Sequence, residues 1–323
     1  VDALIVNKKD FSLSASFNIG FNKNRVEKFK NGESNYKTYS SKWNGNSAAP
    51  FDDYIIREGE AVGQMYGYIT GGMYTFDDFD YIGTGTYPYR LKGDTDGSKT
   101  EAAASLIGAK YFGPGSLKLV DKDGNIATST DAKTVIGNAN PDLIGGFNLT
   151  ARYKGFDLSA FFNFSIGNDV YNANKIDNSC YSGSRKYNNL VEEMKNRFTY
   201  IDPATGYLAY NDPVRLAEIN KNATIWSPYM TTAVLHSWAV EDGSFLRFNN
   251  LTLGYTFPKR WVKKLGLTNL RIYGTVYNVC VITGYSGFDP EVSTRNSTAM
   301  TPGVDYSAYP KSRSFIGGVN VSF

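Results

Sequence analysis

Three groups of acidic side chains are the first places to look for chemistry. Glu241-Asp242 and Asp289 with Glu291 are carboxylate pairs, and two carboxylates suffice for glycoside hydrolysis, one as proton donor and one as base or nucleophile. Both stand in turn-like surroundings, where carboxylates cap backbone groups or pair with a cation such as Arg247. Asp121, Asp123, Asn125 and Asp131 have the oxygen-rich spacing of a calcium loop, yet Ile126 occupies the position that needs glycine and no Glu closes the loop. An Asp/Asn-rich turn around Gly124 accounts for the same residues. His236 is the sole histidine and has no His or Cys partner suggested nearby, so it reads as a packed or solvated loop residue. Cys180 and Cys280 lack a CxxC spacing and read as two unpaired thiols. The chain is expected to be no enzyme, with no catalytic residue and no cofactor beyond calcium at the Asp121 loop.

The elements that must position these residues are long alternating strands. From Phe11 to Phe21 apolar side chains alternate with Ser, Asn and Gly, and Leu143–Tyr153 and Phe156–Ile166 repeat the pattern across Lys154-Gly155. Strands of nine to eleven residues match a tilted bilayer crossing, whereas a soluble sandwich strand has about five or six. Six such strands are expected, near 11–22, 143–153, 156–167, 245–257, 269–279 and 313–323. Between them lie long insertions near 23–141, 168–237 and 282–312. If the last strand ends on an inner side, every long insertion falls on the outer side and every short connection on the inner. Outer-membrane barrels have this asymmetry, and a soluble antiparallel sandwich does not require it.

Within the insertions, the sequence suggests a hairpin around Gln64–Thr70 and a short helix introduced by a Ser98-x-x-Glu101 capping box and stopped by Gly108. It also suggests helical spacing from Tyr187 to Phe198 and a helix start at Asp212-Pro213.

Composition agrees with an all-β chain. Of 323 residues, 15% are aromatic and 32 are glycine, as in antiparallel barrels with aromatic girdles. No run of about 18 apolar residues is present. The net charge of +3, evenly mixed, argues against a nucleic-acid partner. Six strands cannot close a barrel in lipid, and Val1 is no natural precursor start, so the chain is expected to be a piece of something longer.

Trp238 with Glu241-Asp242-Gly243-Ser244-Phe245-Leu246-Arg247, then Leu251-Thr252-Leu253-Gly254-Tyr255 and Pro258, resembles the carboxy-terminal signature of the SusC/RagA family of TonB-dependent outer-membrane transporters. So do Leu270-Arg271-Ile272-Tyr273, Tyr285–Glu291, Tyr309-Pro310 and the final Phe323, and upstream Arg57–Gly63, Ile136–Pro141 and Tyr153–Leu158. Val279-Cys280-Val281 departs from the family's Leu-rich strand end, and the Asp121 loop lacks the fuller Asn-Gly-Asp-Gly of relatives. The resemblance implies the C-terminal part of an antiparallel transmembrane β-barrel of about 22 strands, with plug and TonB box upstream. It also implies import of an oligosaccharide or a peptide across the bacterial outer membrane, with TonB energy and a SusD-like lipoprotein lid. Polar strand positions Asn148, Arg152, Asp157, Asn163 and Asn250 are the candidates to meet a hydrated solute in the lumen. A structural or adhesion barrel and a surface glycosidase are the rival readings.

Overall fold

In a computed structural model, residues 1–30, 34–43, 52–181, 189–294 and 299–323 are described. Seven strands form one sheet in chain order: β1 (Asp2–Lys8), β2 (Phe11–Gly20), β3 (Leu143–Tyr153), β4 (Phe156–Ile166), β5 (Phe245–Thr256), β6 (Asn269–Thr283) and β7 (Ser314–Ser322). Every neighbouring pair is antiparallel. Three connections are short and sit at one end: Lys9-Asp10, Lys154-Gly155 and 257–268. The three insertions, 21–142, 167–244 and 284–313, leave from the other end.

Two features of the sheet differ from the sequence expectation. β1 is a seventh strand, hidden in the sequence because Ala3-Leu4-Ile5-Val6 does not alternate. Leu4 faces Ser14 and Val6 faces Leu13, so the register shifts around Ile5 and the period of two is lost. β6 continues to Thr283, past the expected end near Val279. Its register also shifts, between Phe248 and Asn250 of β5, and on β6 Asn278 takes φ 51°, a left-handed conformation that Asn tolerates.

The register sets the two faces of the sheet. Leu13, Ala151, Leu158 and Leu253 lie in one row, with Leu149, Ala160, Leu251, Val276 and Phe315 in the next. Further along, Phe147, Phe162 and Phe248 stack with centroids 4.5 and 4.3 Å apart. This apolar face is uncovered: Leu253 is 52% exposed and Phe315 75%.

The insertions fold together into a separate layer, and the buried core lies there. Trp43, Tyr54, Tyr68, Tyr74, Phe112, Tyr171 and Tyr200 are almost fully buried. Short strands hold the layer together. Tyr36–Tyr39, Tyr54–Arg57, Gln64–Gly67 and Thr134–Asn138 make a four-stranded sheet. Asp169–Asn172 pairs with Val240–Asp242 and, in parallel, with Val304–Asp305, so the second and third insertions share a sheet. Two of the buried phenols bridge distant segments: Tyr210 Oη donates to the Phe112 carbonyl at 2.5 Å and Tyr54 Oη to the Pro302 carbonyl at 2.5 Å.

Several local expectations change here. Gln64–Gly67 and Ile69–Met73 are not a hairpin, since Tyr68 alone separates them and leaves no room to reverse. Gln64–Gly67 pairs with Thr134–Asn138 and Ile69–Met73 with Leu117–Val120. The helix Ser98–Ile107 is not capped by Ser98, which is its first residue. The Asp94 carboxylate, earlier in the chain, accepts from Gly97 N at 3.1 Å and Thr100 N at 2.9 Å. Gly108, at φ 56°, does end that helix. Asp212 caps Pro213–Ile219 through Arg215 N at 3.0 Å. Of the helical spacing from Tyr187, the start lies outside the described residues, and the remainder is the 3-10 turn Glu192–Asn196 with Met194 buried.

Candidate functional site

The candidate site is the polar face of the sheet together with the layer of insertions at its mouth. Near the short-turn end Arg152 stands directly opposite Asp157. Asp157 is held by Arg271, Nε to Oδ1 at 2.9 Å and Nη2 to Oδ2 at 2.5 Å, a bidentate geometry. Gly254 lies between them on β5, and a Cβ there would collide with the guanidinium. Arg152, Asp157 and Arg271 line a cavity of about 840 Å³.

At mid-height Asn148 faces Phe161, Phe161 faces Asn250, and Asn250 faces Tyr277, so one rung alternates amide, ring, amide, ring. Ser159 donates to Asn148 Oδ1 at 3.3 Å. The next rung towards the insertions holds Asn163 opposite Arg247, and Asn249 donates to Asn163 Oδ1. The five polar candidates therefore share one face but not one cluster. Only Arg152 and Asp157, and Asn148 and Asn250 around Phe161, are brought together. Phe161, Tyr277 and Arg271 were not among the candidates. The Phe161-Phe162 doublet conceals which ring points to the polar face, and only the register resolves it.

Above these rungs a cavity of about 790 Å³ opens between the sheet and the insertions. Asn18, Phe161, Asn163 and Ser165 line it from the sheet, and Asp169 and Glu291 from the insertions.

The paired carboxylates have structural partners. Arg247, 3% exposed, places Nη2 at 2.5 Å from Asp289 Oδ1 and Nε at 3.5 Å from Glu291 Oε2, and Nη1 donates to Asn278 Oδ1 at 3.0 Å. Lys311 adds a contact of 2.6 Å to Glu291. This network pins the third insertion onto β5 and β6; of the two carboxylate pairs expected to cap backbone groups or pair with Arg247, Asp289 with Glu291 pairs with it, whereas Glu241 pairs with Lys175 at 3.4 Å. Glu241 accepts from Ser286 N at 2.9 Å, Ser286 Oγ at 2.8 Å and Asn172 Nδ2 at 3.0 Å. Burial alone would raise its pKa, but the Ser286 hydrogen bonds and the Lys175 charge outweigh it and bring the carboxyl below its ordinary value. A carboxylate held ionised in this way is a poor proton donor.

His236 is fully packed. Its Nδ1 lies 2.8 Å from Thr70 Oγ1 and its ring stacks on Trp238 with planes 8° apart. Burial first, then the charge of Lys175, push its pKa down to about 3, so the ring stays neutral at physiological pH. Asp121 spends its oxygens on its own turn, accepting from Asp123 N at 2.9 Å and Asn125 N at 2.8 Å. Asp131 sits apart in the 3-10 turn Thr130–Ala132. Among the described residues no group of three or more His, Cys, Asp or Glu could hold a metal ion. Cys180 is buried and Cys280 exposed, and no disulfide joins them.

No protein-family model matches the chain. TonB-dependent receptor P3 of Formosa agariphila is 31% identical over 327 residues, covering 98% of this chain and 27% of that protein. TonB-dependent receptor SusC of Bacteroides thetaiotaomicron is 24% identical over all of this chain and 26% of SusC. Among solved structures, the RagAB peptide importer in its open-open state matches with a TM-score of 0.66 at 21% identity, over 100% of this chain and 28% of that one, and shows the same fold. The chain spans about a quarter of the length of the curated relatives it matches. These relatives are receptors rather than enzymes, consistent with carboxylate pairs engaged in ion pairs and hydrogen bonds. Over nearly its whole length, this chain is similar to TonB-dependent receptors, SusC among them, and it shares the fold of the matching part of the RagAB importer.

Proposed function

We propose that this chain is the C-terminal part of the barrel wall, with its extracellular loops, of an outer-membrane transporter that imports a large nutrient. One observation carries the reading: a single antiparallel sheet has an uncovered apolar face, an opposite polar face and all three long insertions at one end. A sheet in lipid must turn its apolar face outward and complete its edge hydrogen bonds with further strands. β1 and β7 are therefore the edges that the rest of the barrel, of about 22 strands, continues. The plug and TonB box lie upstream, TonB supplies the energy, and a SusD-like lipoprotein closes over the loop layer.

The nutrient is an oligosaccharide or a peptide. The rung of Asn148, Phe161, Asn250 and Tyr277 offers amides for hydroxyl or peptide groups and ring faces for the apolar side of a sugar or side chain. Arg152, Asp157 and Asn163 extend this polar wall above and below. Growth of a deletion strain on glycan or peptide as sole carbon source, restored by the intact receptor, tests the reading. Phe161→Ala combined with Asn250→Ala should slow uptake with the barrel still assembled. A strain that takes up no solute through the intact receptor, yet loses surface attachment on deletion, would favour an adhesion role instead.

A further inference from the structure

We propose that the short-turn end of the sheet is a collar that binds anionic phospholipid headgroups, with residues 259–265 at its centre. The inference rests on the membrane-barrel reading and adds a lipid selectivity that the reading does not require.

Three observations meet here. First, the connection from β5 to β6 folds as a helical turn, Lys259–Val262, running into Lys263–Leu265, and Gly266 at φ 73° closes it. Val262, 1% exposed, seats the turn, while Trp261 and Leu265 remain 50% and 70% exposed. Second, Trp261 continues the apolar face. Its ring is 6.4 Å from Phe257, Phe257 is 5.0 Å from Tyr255, and Tyr255 is 4.6 Å from Phe156 across the strands. This aromatic row ends the outward face at the level where rings sit beside headgroups.

Third, Lys259, Arg260, Lys263 and Lys264 flank Trp261 and Leu265, all four exposed. Among the described residues none of them is ion-paired, whereas in the loop layer Lys118 pairs with Asp78 and Arg215 with Asp202. Lys154 and Lys9 bring further cations from the neighbouring turns, against the single acid Asp10. A chain of only +3 overall thus carries a concentrated positive rim. Exposed apolar side chains enter the acyl boundary, and the ammonium and guanidinium groups extend past them to the phosphates. Unpaired cations favour a headgroup with net negative charge over a zwitterionic one.

The test is electron spin resonance of the intact receptor in phosphatidylcholine bilayers, using spin-labelled phosphatidylglycerol or spin-labelled phosphatidylcholine as probe. Both labels should show a motionally restricted fraction, and phosphatidylglycerol should be preferred by about threefold or more at low salt. The preference should shrink in molar salt, where the Debye length falls to about 3 Å. It should also shrink in a variant carrying K259Q, R260Q, K263Q and K264Q, but not in Lys122→Gln at the opposite end. Equal association of the two lipids with the unmodified receptor, or full preference in the quadruple variant, overturns the collar. If the variant fails to assemble, the salt titration of the unmodified receptor decides alone. Absence of any restricted fraction for either lipid overturns the barrel reading itself.

Discussion

The sheet and the layer of insertions spend their apolar side chains in opposite ways. In the layer, Trp43, Tyr54, Phe112, Tyr171 and Tyr200 turn inward and bury almost completely. On the sheet, Phe156, Leu253, Ile272, Val319 and Phe315 turn outward and remain uncovered. The layer follows the rule for a protein in water, and the sheet follows the rule for a protein in hydrocarbon. One chain thus carries two solvent assignments, and the boundary between them runs along the end of the sheet where Arg247 grips Asp289. The same substitution should have different effects on its two sides.

The largest difference is expected from truncating large apolar groups. Phe112→Ala, in the centre of the aromatic cluster, should destabilise the layer by about 3–5 kcal/mol. Leu253→Ala, facing lipid, should change assembly little. Protease resistance of the loops and heat-modifiable mobility of the barrel read the two effects separately, and equal sensitivity at both sites would break the comparison. At the boundary, Arg247→Ala leaves Asp289 buried without its main partner and should cost about 3–5 kcal/mol, seen first as proteolysis in the third insertion.

Reversing the chemistry sharpens the contrast. Leu253→Arg or Leu149→Arg should cost about 2–4 kcal/mol if the side chain meets the bilayer core, while Ser159→Asn on the polar face should be accepted. Titration gives the smallest effect, with two groups in the layer pulling against each other. Burial raises Asp53 to about 6, against the hydrogen bonds from Ser41 and the charge of Lys133, so its contribution to stability improves as pH falls from about 6 towards 4. His236, held neutral to about 3, costs stability as pH falls below its ordinary 6.5, because the unfolded chain takes up the proton first. Asp53→Asn should therefore make the layer more acid-sensitive, and His236→Gln less. Opposite shifts in a thermal melt between pH 4 and 7 would bear this out; parallel shifts would not.

What the sequence disclosed follows the same division. Alternation over most of Phe11–Gly20, Leu143–Tyr153 and Phe156–Ile166 is a local signal, and it is legible because each face meets one kind of environment along most of the strand. Where a bulge interrupts the period, as at Ile5, the strand escaped notice. The Phe161-Phe162 doublet hid the ring on the polar face for a related reason. The layer was harder to read because its core is assembled from distant segments. Trp43 Nε1 donates to Tyr171 Oη at 2.6 Å across 128 residues, a contact that no short window contains. The pairing of Asp289 with Arg247 was legible because carboxylates in turn-like surroundings cap backbone groups or take up a cation, but which of the two carboxylate pairs Arg247 would meet was not.

Sidedness tests the central claim most directly. Single cysteines at Lys122, Tyr207 and Phe288, one in each insertion and all exposed, are introduced into the intact receptor, as are cysteines at Lys9 and Lys264 in the short turns. In each, Cys280 is replaced by Ser. An impermeant thiol reagent applied to whole cells should label the first three, and should label the last two only after the outer membrane is opened. Labelling of Lys9 or Lys264 positions on whole cells, or mixed labelling among the three insertions, would contradict a sheet that crosses the membrane with all its long loops on one side.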